Sequence, residues 1–302
     1  ALQRGCDSQV MFVVSINAKS QLKVKRGLAD AHLQQAGYVP VLIKVINGAE
    51  STGQLVIASP QSGPVYAGVA DLSMKRQQQE HLRVNENKAG ARDRFLHVEM
   101  FESPPMKNRL SGLAVEYVIA LVYSSEAGRR EAKMVFALDG DQDDGTMARG
   151  EVQVAFDVRP AVKAQLSVKD VDSQPTTARL LFRDAAGHVY PPQPKRLAPD
   201  LFFQPHIYRG HGETVLLPPG KFTLQSSRGP EYRVLTRQVT IEPSQTTPLD
   251  VPLERWVDPA AFGFYSGDHH IHAAGCAHYT SPTEGVLPEH MFRQVKGEGL
   301  NV

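Results

Sequence analysis

The sequence predicts a mainly β protein: two antiparallel β-sandwich domains in tandem, then a short strand–helix segment at the C-terminal end. Three observations predict it. Apolar and polar residues alternate at period two in many short runs, the pattern of half-buried strands. The clearest run sets Val152, Val154, Phe156 and Val158 against Glu151, Gln153 and Asp157. Turn signals such as Asn47-Gly48, Ala127-Gly128 and Pro218-Pro219-Gly220 separate the runs, as a sandwich requires. After Leu253 the alternation stops, and a cluster of histidines follows.

Taken in order, residues 1–37 read as one strand around Val10-Met11-Phe12-Val13-Val14 and a polar connector from Gln21 to Gln35. The first sandwich spans 38–158, with strands expected at 38–46, 55–58, 95–100, 115–123, 133–138 and 151–158. Between them, 71–94 is strongly polar, with room for a surface helix at 74–83. Arg159-Pro160 marks the joint. A second sandwich of about seven strands fills 160–253, with runs at 164–169, 177–182, 213–217, 222–225, 237–241 and 248–253. There Leu180 and Phe182 alternate with Arg179 and Arg183. Its Leu-Pro-Pro-Gly turn before Phe222 resembles those of transthyretin-like and carboxypeptidase-regulatory-like modules. From 254 onward, Arg255-Trp256-Val257-Asp258-Pro259 reads as a linker whose tryptophan is buried at a domain interface. A helix begins at Pro288, carries Met291, Phe292 and Val295 on one face and ends at Gly297 or Gly299.

Composition narrows the function. The chain has 302 residues, 33 basic against 32 acidic, for a net charge of +1. No basic stripe faces a phosphate backbone, so nucleic acid is not an expected partner. The longest apolar runs are far too short to span a bilayer as helices, so no membrane partner is expected either. The two cysteines, Cys6 and Cys276, stand at opposite ends and do not settle the redox compartment.

The chemistry concentrates in Gly267-Asp268-His269-His270-Ile271-His272, after the apolar run Ala261-Phe262-Gly263-Phe264-Tyr265. If that run ends a strand, His270 and His272 project from one face with Asp268, while His269 packs on the other. Two imidazoles so placed can share a metal ion, which makes His270 and His272 the candidate metal ligands. Asp268 is a candidate to orient an imidazole from behind. Cys276 and His278, in the loop just beyond, are weaker candidates for contact with metal or substrate.

This constellation, with Pro288-Glu289-His290-Met291-Phe292 and Gly299-Leu300-Asn301-Val302 after it, resembles the first motif of the polymerase-and-histidinol-phosphatase (PHP) metal-dependent hydrolases. It is most similar to their carbaryl-hydrolase-like branch. Upstream, Ser59-Pro60-Gln61-Ser62-Gly63-Pro64-Val65-Tyr66, Tyr123-Ser124-Ser125-Glu126-Ala127-Gly128 and Arg228-Gly229-Pro230-Glu231-Tyr232 resemble the β-rich region preceding the hydrolase domain in long members of that branch. The resemblance implies a distorted α/β barrel of which residues 254–302 hold only the opening strand–helix unit, with the remaining ligands beyond Val302. It implies two or three zinc, manganese or iron ions in the intact protein. It implies hydrolysis of a phosphoester, ester, carbamate or amide by metal-activated water, export from the cytoplasm, and sandwiches that pack on the hydrolase domain. The segment alone is expected to be inactive, because two histidines leave a metal too few protein ligands.

Two other features have plainer readings. Asp139-Gly140-Asp141-Gln142-Asp143-Asp144-Gly145 lacks the glycine and glutamate spacing of an EF-hand loop and reads as a solvated hairpin loop. The loop from Tyr190 to Arg209, with Phe202, Phe203, Tyr208, Lys195, Arg196 and His206, reads as a packing insertion, or as a sugar platform. The rival to the hydrolase is therefore a carbohydrate- or protein-binding sandwich module with a structural role.

Overall fold

The computed structural model describes residues 2–63, 93–104, 106–139, 148–196, 198–243, 246–278 and 286–301. Among them the chain forms two compact units, which part after Pro160. The helix expected at 74–83 and the acidic series after Asp139 lie outside the described residues.

In the first unit a short helix α1 (Leu2–Asp7) precedes nine strands: β1 (Val10–Ile16), β2 (Leu22–Arg26), β3 (His32–Gln34), β4 (Tyr38–Asn47), β5 (Gln54–Ala58), β6 (Leu96–Met100), β7 (Val115–Ser124), β8 (Gly128–Asp139) and β9 (Ala148–Arg159). They make one sheet in the order β2-β1-β4-β7-β6 and a second in the order β3-β9-β8-β5. The period of two does the sorting. On β9, Val154, Phe156 and Val158 are buried while Ala155, Asp157 and Arg159 are exposed. Phe12, Phe136 and Phe156 are fully buried between the sheets, the first two with ring centroids 5.5 Å apart. Burying each contributes about 1.5–3 kcal/mol. The polar stretch read as a connector folds as β2 and β3; Leu22 and Val24 turn inward between Lys23 and Lys25.

The second unit holds β10 (Val162–Val168), β11 (Thr177–Arg183), β12 (Val189–Tyr190), β13 (Ile207–Gly210), β14 (Thr214–Leu217), β15 (Gly220–Ser227), β16 (Leu235–Ile241) and β17 (Thr246–Val251). A three-stranded sheet runs β14-β10-β17, and a five-stranded one runs β12-β11-β15-β16 with β13 also on β11. Val162, Ala164, Leu166 and Val168 point into this core from β10. Neither unit is wholly antiparallel, as the sequence had suggested. β1 runs parallel to β4, β3 to β9 and β10 to β17. Each such pair is separated by enough intervening chain to make the crossover that parallel neighbours need.

The strand–helix opening of an α/β barrel is not formed. Residues 263–272 adopt no strand, and the stretch from Phe262 to Tyr265 is exposed. A strand needs a neighbour for its N–H and C=O groups, and among the described residues this segment has no strand ladder, its backbone tie to a distant residue being the Asn301 N–H on the Ser266 carbonyl. The helix α2 (Pro288–Gly297) is formed as expected, but it packs on β11 and β13 of the second sandwich. Trp256 is 60% exposed rather than buried; its indole N–H donates to the Pro230 carbonyl at 2.9 Å. Among the described residues no helix is long and apolar enough to cross a membrane.

The loop between β12 and β13 is organised around a buried cation. Arg196, 2% exposed, donates to the carbonyls of Pro191, Leu201, Gln204, Pro205 and His206. Burial pulls its pKa down to about 10, so it stays protonated near neutrality. At the base of the loop Arg209 grips both oxygens of Asp200 at 2.6 and 2.7 Å. Arg196→Met orphans these carbonyls at about 1–3 kcal/mol for each that water cannot reach. Urea unfolding is expected to show a loss of about 3–5 kcal/mol for that variant, the cost of a few such carbonyls left unpaired. Arg196→Lys should recover only part of it, because three donors cannot serve five acceptors.

Helix α2 sits so close to the sheet that Gly297 has no room for a side chain. A Cβ there would stand 2.1 Å from the Tyr208 ring. Tyr208 in turn donates to Glu298 at 2.5 Å, and burial with that bond pushes its phenol well above the ordinary range. Gly297→Ala is expected to lift the end of α2 off the sheet. Spectrophotometric titration should then show one more of the nine tyrosines ionising near its ordinary pKa of about 10. An unchanged titration curve would contradict this packing.

Candidate metal centre

The histidine cluster lies on a segment held by a few polar anchors. After β17, Arg255 pairs with Glu231 and, at 2.7 Å, with Asp258. The Trp256 N–H donates to the Glu231 carbonyl at 3.0 Å. A 3₁₀ turn over Pro259–Phe262 closes on Gly263, whose φ of 81° suits a residue without Cβ. Ser266 then donates to Glu231 at 3.0 Å, and its carbonyl accepts the Asn301 N–H at 2.8 Å.

Beyond Ser266 the backbone turns back on itself. Ala273 bridges Val286, the Ala274 N–H donates to the Val286 carbonyl at 2.9 Å, and the Cys276 N–H returns to Ala273 at 3.1 Å. Gly275, at φ 88°, makes this reversal possible. The turn carries Cys276 and His278 back to the His-x-His pair. His270 and His272 meet with Nε2 atoms 2.9 Å apart. The Cys276 Sγ lies 3.3 Å from the His272 Nδ1 and 3.3 Å from the His278 Nδ1.

The donor atoms of His272, Cys276 and His278 all fall within 4.8 Å of one another. Ligands on one tetrahedral zinc, at about 2.3 Å for sulfur and about 2.0–2.1 Å for nitrogen, stand roughly 3.5 Å apart. The two sulfur–nitrogen separations come close to that, while the donor nitrogens of His272 and His278 stand within 4.8 Å of each other, so one shared ion would draw the two rings together. In that arrangement His272 ligates through Nδ1 and its Nε2–H donates to His270, the outer hydrogen bond that holds a ligating imidazole in its tautomer. Asp268 serves the backbone instead, its carboxylate accepting the His270 N–H at 3.0 Å. His269 is exposed. The sequence pattern singled out all four side chains, but only the turn at Gly275 shows which three converge.

No family model matches the chain, and no curated protein matches it. Among solved structures it is similar to the pilus 2b backbone protein of group B streptococcus, at 12% identity and a TM-score of 0.25, covering 75% of this chain and 96% of that one. It is similar to BcpA, the major pilin subunit of Bacillus cereus, at 10% identity and 0.26, covering 81% and 70%. It also matches the Bacillus anthracis TIE protein at 8% identity and 0.24, covering 53% and 34%. Scores this low carry no argument about what the chain does. The comparisons return no PHP hydrolase. The expected membership of the carbaryl-hydrolase-like branch, and the assignment as a metal-dependent hydrolase, are corrected accordingly. The structure supplies a physical reason: the histidines stand on an exposed turn, not at the mouth of a barrel strand.

Proposed function

We propose that this chain is a structural β-sandwich module that engages protein or polysaccharide partners, and that one transition-metal ion fixes its C-terminal segment. One observation carries the reading. Both units bury continuous apolar cores, while the one group of three or more metal-capable donors found among the described residues lies on an exposed turn outside any sheet. Such a turn has little apolar surface to bury, and a bound ion supplies the order that packing does not. A thiolate with two imidazoles favours zinc over manganese. The exposed aromatic residues Phe262, Phe264 and Tyr265 beside the turn offer contact surface for a partner. The proposal includes export, checked by whether the protein is recovered outside the cytoplasm on cell fractionation.

Cobalt titration tests the ion directly, since a thiolate ligand gives an intense charge-transfer band. One equivalent is expected to bind. Cys276→Ser should abolish the band, and His270→Gln should weaken binding about 10-fold or more while keeping it. Binding by Cys276→Ser with wild-type affinity, or no stoichiometric binding at all, would overturn the site. Chelation is expected to leave the main thermal transition unchanged, because the cores do not depend on the ion. A collapse of both units on chelation would contradict the structural reading.

A further inference from the structure

The outer face of the five-stranded sheet in the second unit carries a cavity of about 140 Å³. It lies apart from the histidine turn and rests on none of the metal argument. Its walls are Arg179, Leu181, Gln225 and Ser227 from the sheet, with Pro205, His206 and Val234 around them. The register explains the grouping. Arg179 stands opposite Ser227 and Leu181 opposite Gln225 on β15, while Tyr208 of β13 flanks Arg179 on its other side.

The polar groups here are unevenly matched. Arg179 faces one anion among the described residues, Glu298 at 3.6 Å, which leaves guanidinium N–H groups to spare. Ser227, 3% exposed as a residue, lines the cavity beside it. His206 is neutral at ordinary pH because burial holds its pKa down, and its Nε2 lies 3.0 Å from the Tyr208 hydroxyl. A guanidinium and a serine hydroxyl beside Leu181, Pro205 and Val234 make a site with a charged end and an apolar end.

We propose that this cavity binds a small organic carboxylate, its oxygens on Arg179 and Ser227 and its short carbon chain against Leu181, Pro205 and Val234. The planar fork of a guanidinium matches a carboxylate. The volume, worth roughly four or five waters at about 30 Å³ each, admits an acid of acetate to lactate size. Glu298 sets the charge: a monoanion can share Arg179 with it, whereas a phosphate dianion meets a second negative group.

Propionate titrated into the full chain, followed by methyl NMR of Leu181 and Val234, tests the idea. Saturable 1:1 shifts are expected, with a dissociation constant on the order of 1 mM, and phosphate should bind at least about 10-fold more weakly. Arg179→Met should remove binding, and Ser227→Ala, which leaves the helix contacts alone, should weaken it several-fold. Glu298→Gln keeps the hydrogen bond with Tyr208 but deletes the competing charge, so it should tighten propionate. No saturable shift in the wild type overturns the proposal. So does phosphate binding as well as propionate, or a set of variants that all bind as the wild type does.

Discussion

Every strand here depends on one constraint: a backbone N–H or C=O removed from water must find a partner. Residues 10–63 and 93–159 meet it by pairing in two sheets, and so do most residues from 162 to 251. The apolar side chains then decide which face turns inward. The segment from Gly263 to His272 is as aromatic as several of the strands, yet among the described residues it joins no sheet ladder. It is anchored by the bonds of Ser266 with Glu231 and Asn301.

The same constraint explains the two polar centres of the second unit. A long insertion between β12 and β13 cannot satisfy its carbonyls within a ladder, so a single buried guanidinium gathers five of them. The histidine turn lacks both a ladder and a core. There the side chains of His270, His272, Cys276 and His278 bond to one another. In the first case the cation is covalently part of the chain. In the second the proposed ion takes the equivalent place.

Much of the fold was legible because alternation is a local property. Val154, Phe156 and Val158 on β9, or Leu180 and Phe182 on β11, announce both the strand and its buried face. What escaped was short, polar or non-local. β12 has two residues, and β2 shows only two partly buried apolar residues between lysines. The parallel pairing of β10 with β17 joins residues about eighty apart, and no local pattern encodes it. Arg196 looked like an ordinary loop charge because its acceptors are backbone atoms, invisible in side-chain identity. The candidate site was half legible. The spacing of His270 and His272 marked the chemistry, but the strand assumed to carry them depended on a neighbour that the sequence could not supply. The family resemblance drew on that motif and on short stretches elsewhere in the chain, and the comparisons return no PHP hydrolase to match it.

The central claim is that an ion orders the C-terminal turn of an otherwise self-sufficient sandwich module. Amide hydrogen exchange by mass spectrometry, with and without one equivalent of zinc, reads this directly. The account predicts that exchange across 268–278 slows by about tenfold or more, while the strands of both units exchange at unchanged rates. Equal exchange of that turn in both samples, or protection gained mainly in the sheets, would contradict it.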